Sequence, residues 1–326
     1  MRTKNMLRIG LICCATAILA CRPASAKETY PAHEIHMVTA FGAGSASDIV
    51  ARLIAERLAD SLKQPVIVDN KPGASGQIAS DFVSRAAPDG YTIMLATNTT
   101  HSANPYLFKS LRYDPIKDFT PLAQVCNFPF VLAVSGKLPV SNVQELIAYA
   151  KSKQSQLSYA YGNSTGQVSA AAFDKAAGLK AIAVPYRSSP QAMTDVVGGR
   201  ASFMFADLAS AAGHMQSGNL KALAVTTKTR TSLAPDLPTI AEAVGQPDFD
   251  LAAWVGIFGP AGMPQPIVDR LSTEIVNIIS TPDFRDRLTR MGAEPTPAPA
   301  SEFGPFVVRQ LSAWGEKVKQ AGIEAQ

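Results

Sequence analysis

Short β-rich runs alternate with helical patterns along almost the whole chain after Lys27, and that alternation narrows the fold more than any other feature. Candidate strands lie at 34–40, 65–69, 91–97, 130–135, 157–161, 181–186, 201–205, 220–226 and 254–259. Between them fall helical patterns such as 48–62, with Ile49, Leu53, Leu58 and Leu62 at helical spacing. Another is 143–151, which the capping box Ser141-Asn-Val-Gln144 would open. Ser189-Pro190 and Thr281-Pro282 each read as an N-cap followed by a first-turn proline, and Gly178 and Gly198 as helix stops. A chain of this kind builds an α/β fold of parallel or mixed sheets covered by helices.

The 326 residues allow about two domains of roughly 150 residues each. No fixed-period repeat occurs, and no low-complexity linker separates two halves. The stretch 264–322 is helix-rich and offers no strand beyond the one at Trp254, so it is expected to pack back on the first lobe. The chain then crosses between lobes twice, near 126–130 and near 249–254. This predicts one lobe of 27–127 plus 250–326, a second of 128–249, a hinge, and an interlobe cleft. In open parallel sheets ligands sit outside the carboxyl ends of the strands, which makes the loops after strands the informative ones.

A net charge of +4 would suit a nucleic-acid partner if the charges lay together. They do not belong to the folded chain. Arg2, Lys4 and Arg8 precede an apolar run of about a dozen residues that closes with Ala24-Ser25-Ala26, the pattern of an export signal cut after residue 26. The run is shorter than the about 20 residues a membrane span needs. Lipidation at Cys21 is the alternative, since 18–21 loosely matches a lipobox. Residues 1–26 hold Arg2, Lys4, Arg8 and Arg22 and no acid, so removing them from 30 basic residues leaves 26 against 26 acidic. The mature chain keeps a single cysteine, Cys126, in an apolar setting, which forms neither an internal disulfide nor a zinc site.

Five loops could carry chemistry. In Phe41-Gly-Ala-Gly-Ser-Ala-Ser-Asp48, Gly42 and Gly44 permit a tight turn, Ser45 and Ser47 add hydroxyls, and a helix N-terminus offers partial positive charge, which together suit a carboxylate or phosphate. A dinucleotide site would need a third glycine where Ser47 stands. The second loop, 69–77, holds Ser75 either as a helix cap or against a ligand. The third offers Thr97, Asn98, Thr99 and His101, the histidine being a ligand contact or a satisfied structural residue. The fourth, Tyr161-Gly-Asn-Ser-Thr-Gly166, matches Gly-x-Ser-x-Gly between a strand and a helix, the setting of a hydrolase nucleophile. After Ser164 only His214 follows, and no oxyanion motif precedes it. The better reading is a second anion-binding helix N-terminus, from Asn163, Ser164, Thr165 and Gly166, facing the first across the cleft. The fifth places Arg187 after a strand, able to pair with a carboxylate. Asp207 is either a helix cap or a selector for an amine.

Eight segments in order resemble the substrate-binding proteins of tripartite tricarboxylate transporters, the Bug proteins. They are Phe41-Gly-Ala-Gly-Ser-Ala-Ser-Asp48, Asp69-Asn-Lys-Pro-Gly-Ala-Ser-Gly76, Pro88-Asp-Gly-Tyr-Thr92, Tyr113-Asp-Pro-Ile-Lys-Asp-Phe119, Tyr161-Gly-Asn-Ser-Thr-Gly166, Val184-Pro-Tyr-Arg187, Leu220-Lys-Ala-Leu-Ala-Val225 and Leu237-Pro-Thr-Ile-Ala-Glu-Ala243. The resemblance implies a two-lobed periplasmic binding protein of the type II, Venus-flytrap kind, without catalytic activity, cofactor or metal, expected as a monomer. It implies capture of a small carboxylated solute, a di- or tricarboxylate, an acidic amino acid or an aromatic carboxylate, and delivery to a two-component membrane permease of one large and one small subunit. A sensor that signals to a membrane kinase is the alternative. By resemblance the ligand is held by backbone amides and waters of 42–47 and 164–166; Phe41, Ala43 and Tyr161 of the same loops are expected ligand contacts as well. Ala43 and Ser45 flank Gly44 where many members carry a Gly-Gly pair, and Gly213-His214 stands for the usual proline-histidine pair.

Overall fold

A computed structural model describes residues 30–152 and 157–326. The expected export signal and Cys21 lie outside the described residues, and 30–32 hold no helix or strand. The chain from His33 begins with β1 (Ile35–Thr39), α1 (Ala46–Leu62), β2 (Val66–Asn70), α2 (Gln77–Ser84) and β3 (Thr92–Thr97). A π-helical turn, Thr99–Ala103, leads into α3 (Asn104–Leu107), and β4 (Phe119–Phe128) follows. Across the single residue Pro129 comes β5 (Phe130–Ser135), then α4 (Val143–Ser152), β6 (Ser158–Tyr161), α5 (Ser164–Ala177) and β7 (Ile182–Pro185). Next are α6 (Ser189–Val197), β8 (Phe203–Asp207), α7 (Leu208–Gln216), β9 (Leu220–Val225) and α8 (Ile240–Val244). The chain ends with β10 (Ala253–Pro260), α9 (Gln265–Ser280), α10 (Pro282–Arg290), β11 (Glu294–Pro299) and α11 (Ala300–Ala321).

The strands form two mixed sheets. The first runs β11-β4-β10-β3-β1-β2 and the second β7-β6-β8-β5-β9. In the first, β1 lies parallel to β2 and β3, while β10 and β11 pair antiparallel to their neighbours. In the second, β6 is parallel to β7 and β8, and β5 is antiparallel to β8 and β9. The strands that run against the rest are β10 and β11 in the first sheet and β5 in the second, and β5 and β10 are the strands that receive the chain at its two crossings between sheets.

Each sheet buries its own apolar cluster. Met94, Trp254, Phe258 and Phe303 centre the first, with Trp254 edge-on to Phe303 at 5.7 Å between ring centroids. Val131, Met193, Met204 and Val225 belong to the second. Full burial of a side chain of this size stabilises the fold by about 1.5–3 kcal/mol.

One threonine ties the two crossings together. The hydroxyl of Thr226, fully buried, donates to the Leu251 carbonyl at 2.6 Å and accepts from the Phe130 amide at 3.3 Å. The Thr226 amide donates to Phe130 O at 2.9 Å, and its carbonyl accepts from Leu251 N at 3.0 Å.

Several expectations need correction. β11 is a strand in a stretch expected to have none. Its sequence, EPTPAP, carries three prolines, which lack the amide donor of an interior strand but are tolerated at a sheet edge, where β11 lies. β4 is ten residues long although only its middle, Leu122 to Cys126, has an apolar character that stands out. The cap of α4 is Asn142, whose side chain accepts from the Glu145 amide at 2.8 Å while Glu145 accepts from the Ser141 amide at 2.7 Å. The reciprocal partner is therefore Glu145, a stronger acceptor than Gln144. The cap of α6 is Ser188, with Ser189 inside the helix. The helix expected at 48–62 starts at Ala46, and the strand expected at 201–205 sits two residues later because Asp207 still pairs with Phe130 in the ladder.

Candidate functional site

The first cleft loop is shaped by Asp48. Its carboxylate accepts from the Gly44 amide at 3.0 Å, from Asn70 Nδ2 at 2.8 Å, and from Arg52, whose terminal nitrogen lies 3.0 Å away. Asn70 Nδ2 also donates to Phe41 O at 3.0 Å. Burial pushes the Asp48 carboxyl up, but the bonds from Arg52, Asn70 and Gly44 together hold it below the usual carboxylate range. Gly44 has φ +79°, the left-handed conformation that glycine adopts without cost. Ser45, not Ser47, caps α1, its hydroxyl accepting from the Asp48 amide at 3.3 Å. The amides of Ala46 and Ser47 have no acceptor within the helix and lie at its positive end.

The second loop is held the same way. Asn163 caps α5, accepting from the Gly166 amide at 2.8 Å and donating to Ser189 Oγ at 2.9 Å. Gly162 permits this approach, since a Cβ there would lie 2.1 Å from the Ser188 carbonyl carbon.

Three hydrogen bonds join the loops of the two sheets. Asn98 Nδ2 donates to Thr165 Oγ1 at 2.8 Å, the Ser164 amide donates to Thr99 Oγ1 at 3.3 Å, and Ser164 Oγ donates to Asn104 Oδ1 at 3.1 Å. Asn104 in turn donates to Ser75 O at 2.9 Å and to the Tyr113 hydroxyl at 3.2 Å. Burial raises the Tyr113 phenol to about 12.

Between the loops lies a cavity of about 30 Å³, room for no more than a water or two in this arrangement. Phe41, Ser45, Ser47, Thr97, Asn98, Thr99, Asn163, Thr165 and Asp207 line it. Ala46, Phe128, Phe130, Ser189 and Ala253 also line it and were not foreseen. Phe128 and Phe130 flank the first crossing, a position that could have marked them, because a crossing strand forms the floor of a cleft. A larger cavity of about 370 Å³, lined by Lys175, Asp250 and Lys317, lies elsewhere and holds none of the cleft loops. We take the small cavity as the candidate site, since the helix N-termini converge there.

The other expected residues sit outside the cavity lining. Gly42, Ala43, Gly44 and Gly166 shape the loops around it. His101 is fully buried between Phe119 and Phe258, with ring centroids 4.5 and 4.1 Å away, and its Nδ1 is 2.9 Å from Thr100 Oγ1. Burial pulls it down to about 3, so it is a neutral core residue. Arg187 is exposed, and Tyr161 is half-buried and packs beside Tyr159. Ser75 adopts φ +51° and offers its carbonyl to Asn104, so it neither caps a helix by its side chain nor reaches the cavity. Ser164 reaches across the lobe boundary, and its hydroxyl meets an amide carbonyl, which cannot take a proton as a base would.

No Lys, Arg or His side chain lines the cavity, and Asp207 is its one ionisable residue among the described residues. Asp207 caps α7, with Oδ1 accepting from the Ser210 amide at 2.7 Å and the Ser210 hydroxyl at 2.6 Å. Burial pushes its carboxyl up, against the pull of those bonds. Burial also pushes the Cys126 thiol up, leaving it inert. Among the described residues no cluster of three or more His, Cys, Asp or Glu could hold a metal, and no helix is long and apolar enough to cross a membrane.

Two mixed sheets joined by paired crossings, with strand-end loops meeting over a cavity, define a two-lobed α/β solute-binding protein. The chain matches the profile of the tripartite tricarboxylate transporter family receptor, TctC, over residues 50–323, and it belongs to that family. It is 38% identical to a UPF0065 protein of Bordetella bronchiseptica over 83% of this chain and 81% of the relative. It is 31% identical to protein BugT of Bordetella pertussis over 99% and 98%. Among solved structures it resembles R. palustris Rpa4515 with adipate, with a TM-score of 0.88 and 32% identity, covering 91% of this chain and all of that one. MatC from Rhodopseudomonas palustris with bound malate gives 0.82 and 31%, covering 89% and 100%. The chain is thus a periplasmic-type solute-binding receptor of the TctC and Bug kind.

Proposed function

We propose that this receptor captures a small carboxylate in the cleft and delivers it to a two-subunit membrane permease of the tripartite tricarboxylate type, after export to the periplasm and cleavage after residue 26. One observation carries the reading: two helix N-termini and a ring of hydroxyls and amides converge on one cavity that holds no cationic side chain. Such a site binds an anion through backbone and neutral donors. The amides of Ala46 and Ser47, with Ser45, Ser47 and Thr97, form the first half of the grip, and Thr99, Asn163, Thr165 and Ser189 the second. The relatives solved with adipate and malate support a carboxylate as ligand.

A cavity of about 30 Å³ does not admit a dicarboxylate, so the lobes must part. In this reading 128–249 swings against 27–127 plus 250–326 about the two crossings, and the bonds from Asn98 to Thr165 and from Ser164 to Thr99 and Asn104 break and re-form. A ligand that binds only the folded, closing protein raises its melting temperature as its concentration rises. Thermal unfolding of the mature chain with di- and tricarboxylates, acidic amino acids and aromatic carboxylates is the test. A shift with at least one of them is expected, and none at millimolar concentration from the whole set would overturn the reading. Mass spectrometry of the exported protein checks the N-terminus at Lys27.

A further inference from the structure

We infer that the ligand is a zwitterion, a carboxylate that also bears an ammonium group, and that Asp207 and Asn98 receive that group. The inference deepens the proposed carboxylate site and rests on it.

The lining combines two unlike kinds of group. The amides at the start of α1, with Ser45 and Ser47, are donors. Asp207 and Asn98 supply acceptors. Asp207 is 4% exposed, both Ser210 bonds go to its Oδ1, and no cationic side chain among the described residues pairs with it. A carboxylate buried without a counter-charge is costly, and a plain dianion brought beside it would add like-charge repulsion.

Asn98 makes the same demand independently. It is fully buried, its Nδ2 is spent on Thr165, and its Oδ1 has no partner among the described residues. An orphaned acceptor on a cavity wall calls for a donor from the ligand. Phe128 and Phe130 line the same cavity, and Phe130 stands directly opposite Asp207 in the β5–β8 ladder. Aromatic rings beside an acid suit an ammonium, which is drawn to the negative ring face. An acid, an orphaned carbonyl and aromatic walls, together with amide donors in the same lining, match the needs of an amino-carboxylate.

The test is calorimetric titration of the mature chain with sets matched in length: succinate, malate and L-aspartate; glutarate and L-glutamate; adipate and L-2-aminoadipate; 3-phenylpropionate and L-phenylalanine. In any set that binds, the ammonium-bearing member is expected to bind at least about tenfold tighter, the scale of a hydrogen bond to a charged group. Asp207→Asn, which retains a good helix cap, is expected to remove that preference. Its unfolding midpoint without ligand reports whether the fold is kept, and Asn98→Asp, which keeps the shape and adds charge, is expected to hold or widen the preference. Binding of a des-amino acid or of malate at least as tight as its amino counterpart would overturn the inference and leave the carboxylate reading standing. A preference that survives Asp207→Asn would overturn the role of Asp207. Binding of no member of any set would overturn the inference, and the thermal series with its tricarboxylates then decides the carboxylate reading.

Discussion

Thr226→Val isolates the tie between the two crossings. Valine matches threonine in shape, so the change opens no cavity and removes only the hydroxyl. Two buried backbone groups lose their partner, the Leu251 carbonyl at 2.6 Å and the Phe130 amide at 3.3 Å. Each bond is worth about 1 kcal/mol net, and leaving buried groups unpaired brings the total to about 2–4 kcal/mol. Thr226→Ser keeps the hydroxyl and loses one methyl, for about 1 kcal/mol. Urea unfolding of the mature chain and both variants reads the difference. The valine variant should be the less stable of the two by at least about 1 kcal/mol. A valine variant within about 0.5 kcal/mol of the parent, or a serine variant equally damaged, would refute the role given to the hydroxyl.

Two further outcomes follow from the geometry. His101 has a folded value of about 3 against 6.5 unfolded, so the unfolded chain binds the extra proton between them and stability falls as pH drops below 6.5. The loss is about 1.4 kcal/mol per pH unit over that window, and His101→Gln should lose less between pH 7 and 4.5 in thermal unfolding; equal losses would count against a neutral buried ring. Gly162→Ala drives a Cβ to 2.1 Å from the Ser188 backbone and should cost about 3 kcal/mol or more, whereas Gly44→Ala meets open space and pays only the left-handed backbone, about 1–2 kcal/mol. Unfolding midpoints that rank the two the other way would contradict the close packing of the second loop.

The sequence announced the layout better than the wall of the cavity. Strand β5 lies where its apolar run placed it, and the loops ending β1, β3, β6 and β8 do line the cavity, because strand-helix alternation and capping residues are local signals. Side-chain direction is not local. His101 and Arg187 sit beside cavity loops in sequence, yet one faces an aromatic core and the other solvent, which depends on the π-helical turn and on how β7 ends at the sheet edge. Asp48 escaped notice as more than a helix residue, because its partners Gly44, Asn70 and Arg52 converge only in the fold. Phe128 and Phe130 became cavity walls through the crossing, a tertiary event.

The proline-rich strand β11 gives the first lobe a border of an unusual kind. Three of its six residues have no amide hydrogen, so a foreign strand laid along that margin would find at most three main-chain donors. Where other sheets shield such a margin with a helix, a bulge or a row of lysines, here the shield is part of the strand's own covalent structure and needs no additional segment to keep it in place. Where many copies of the chain meet, this side of the receptor therefore offers a poor template for sheet extension.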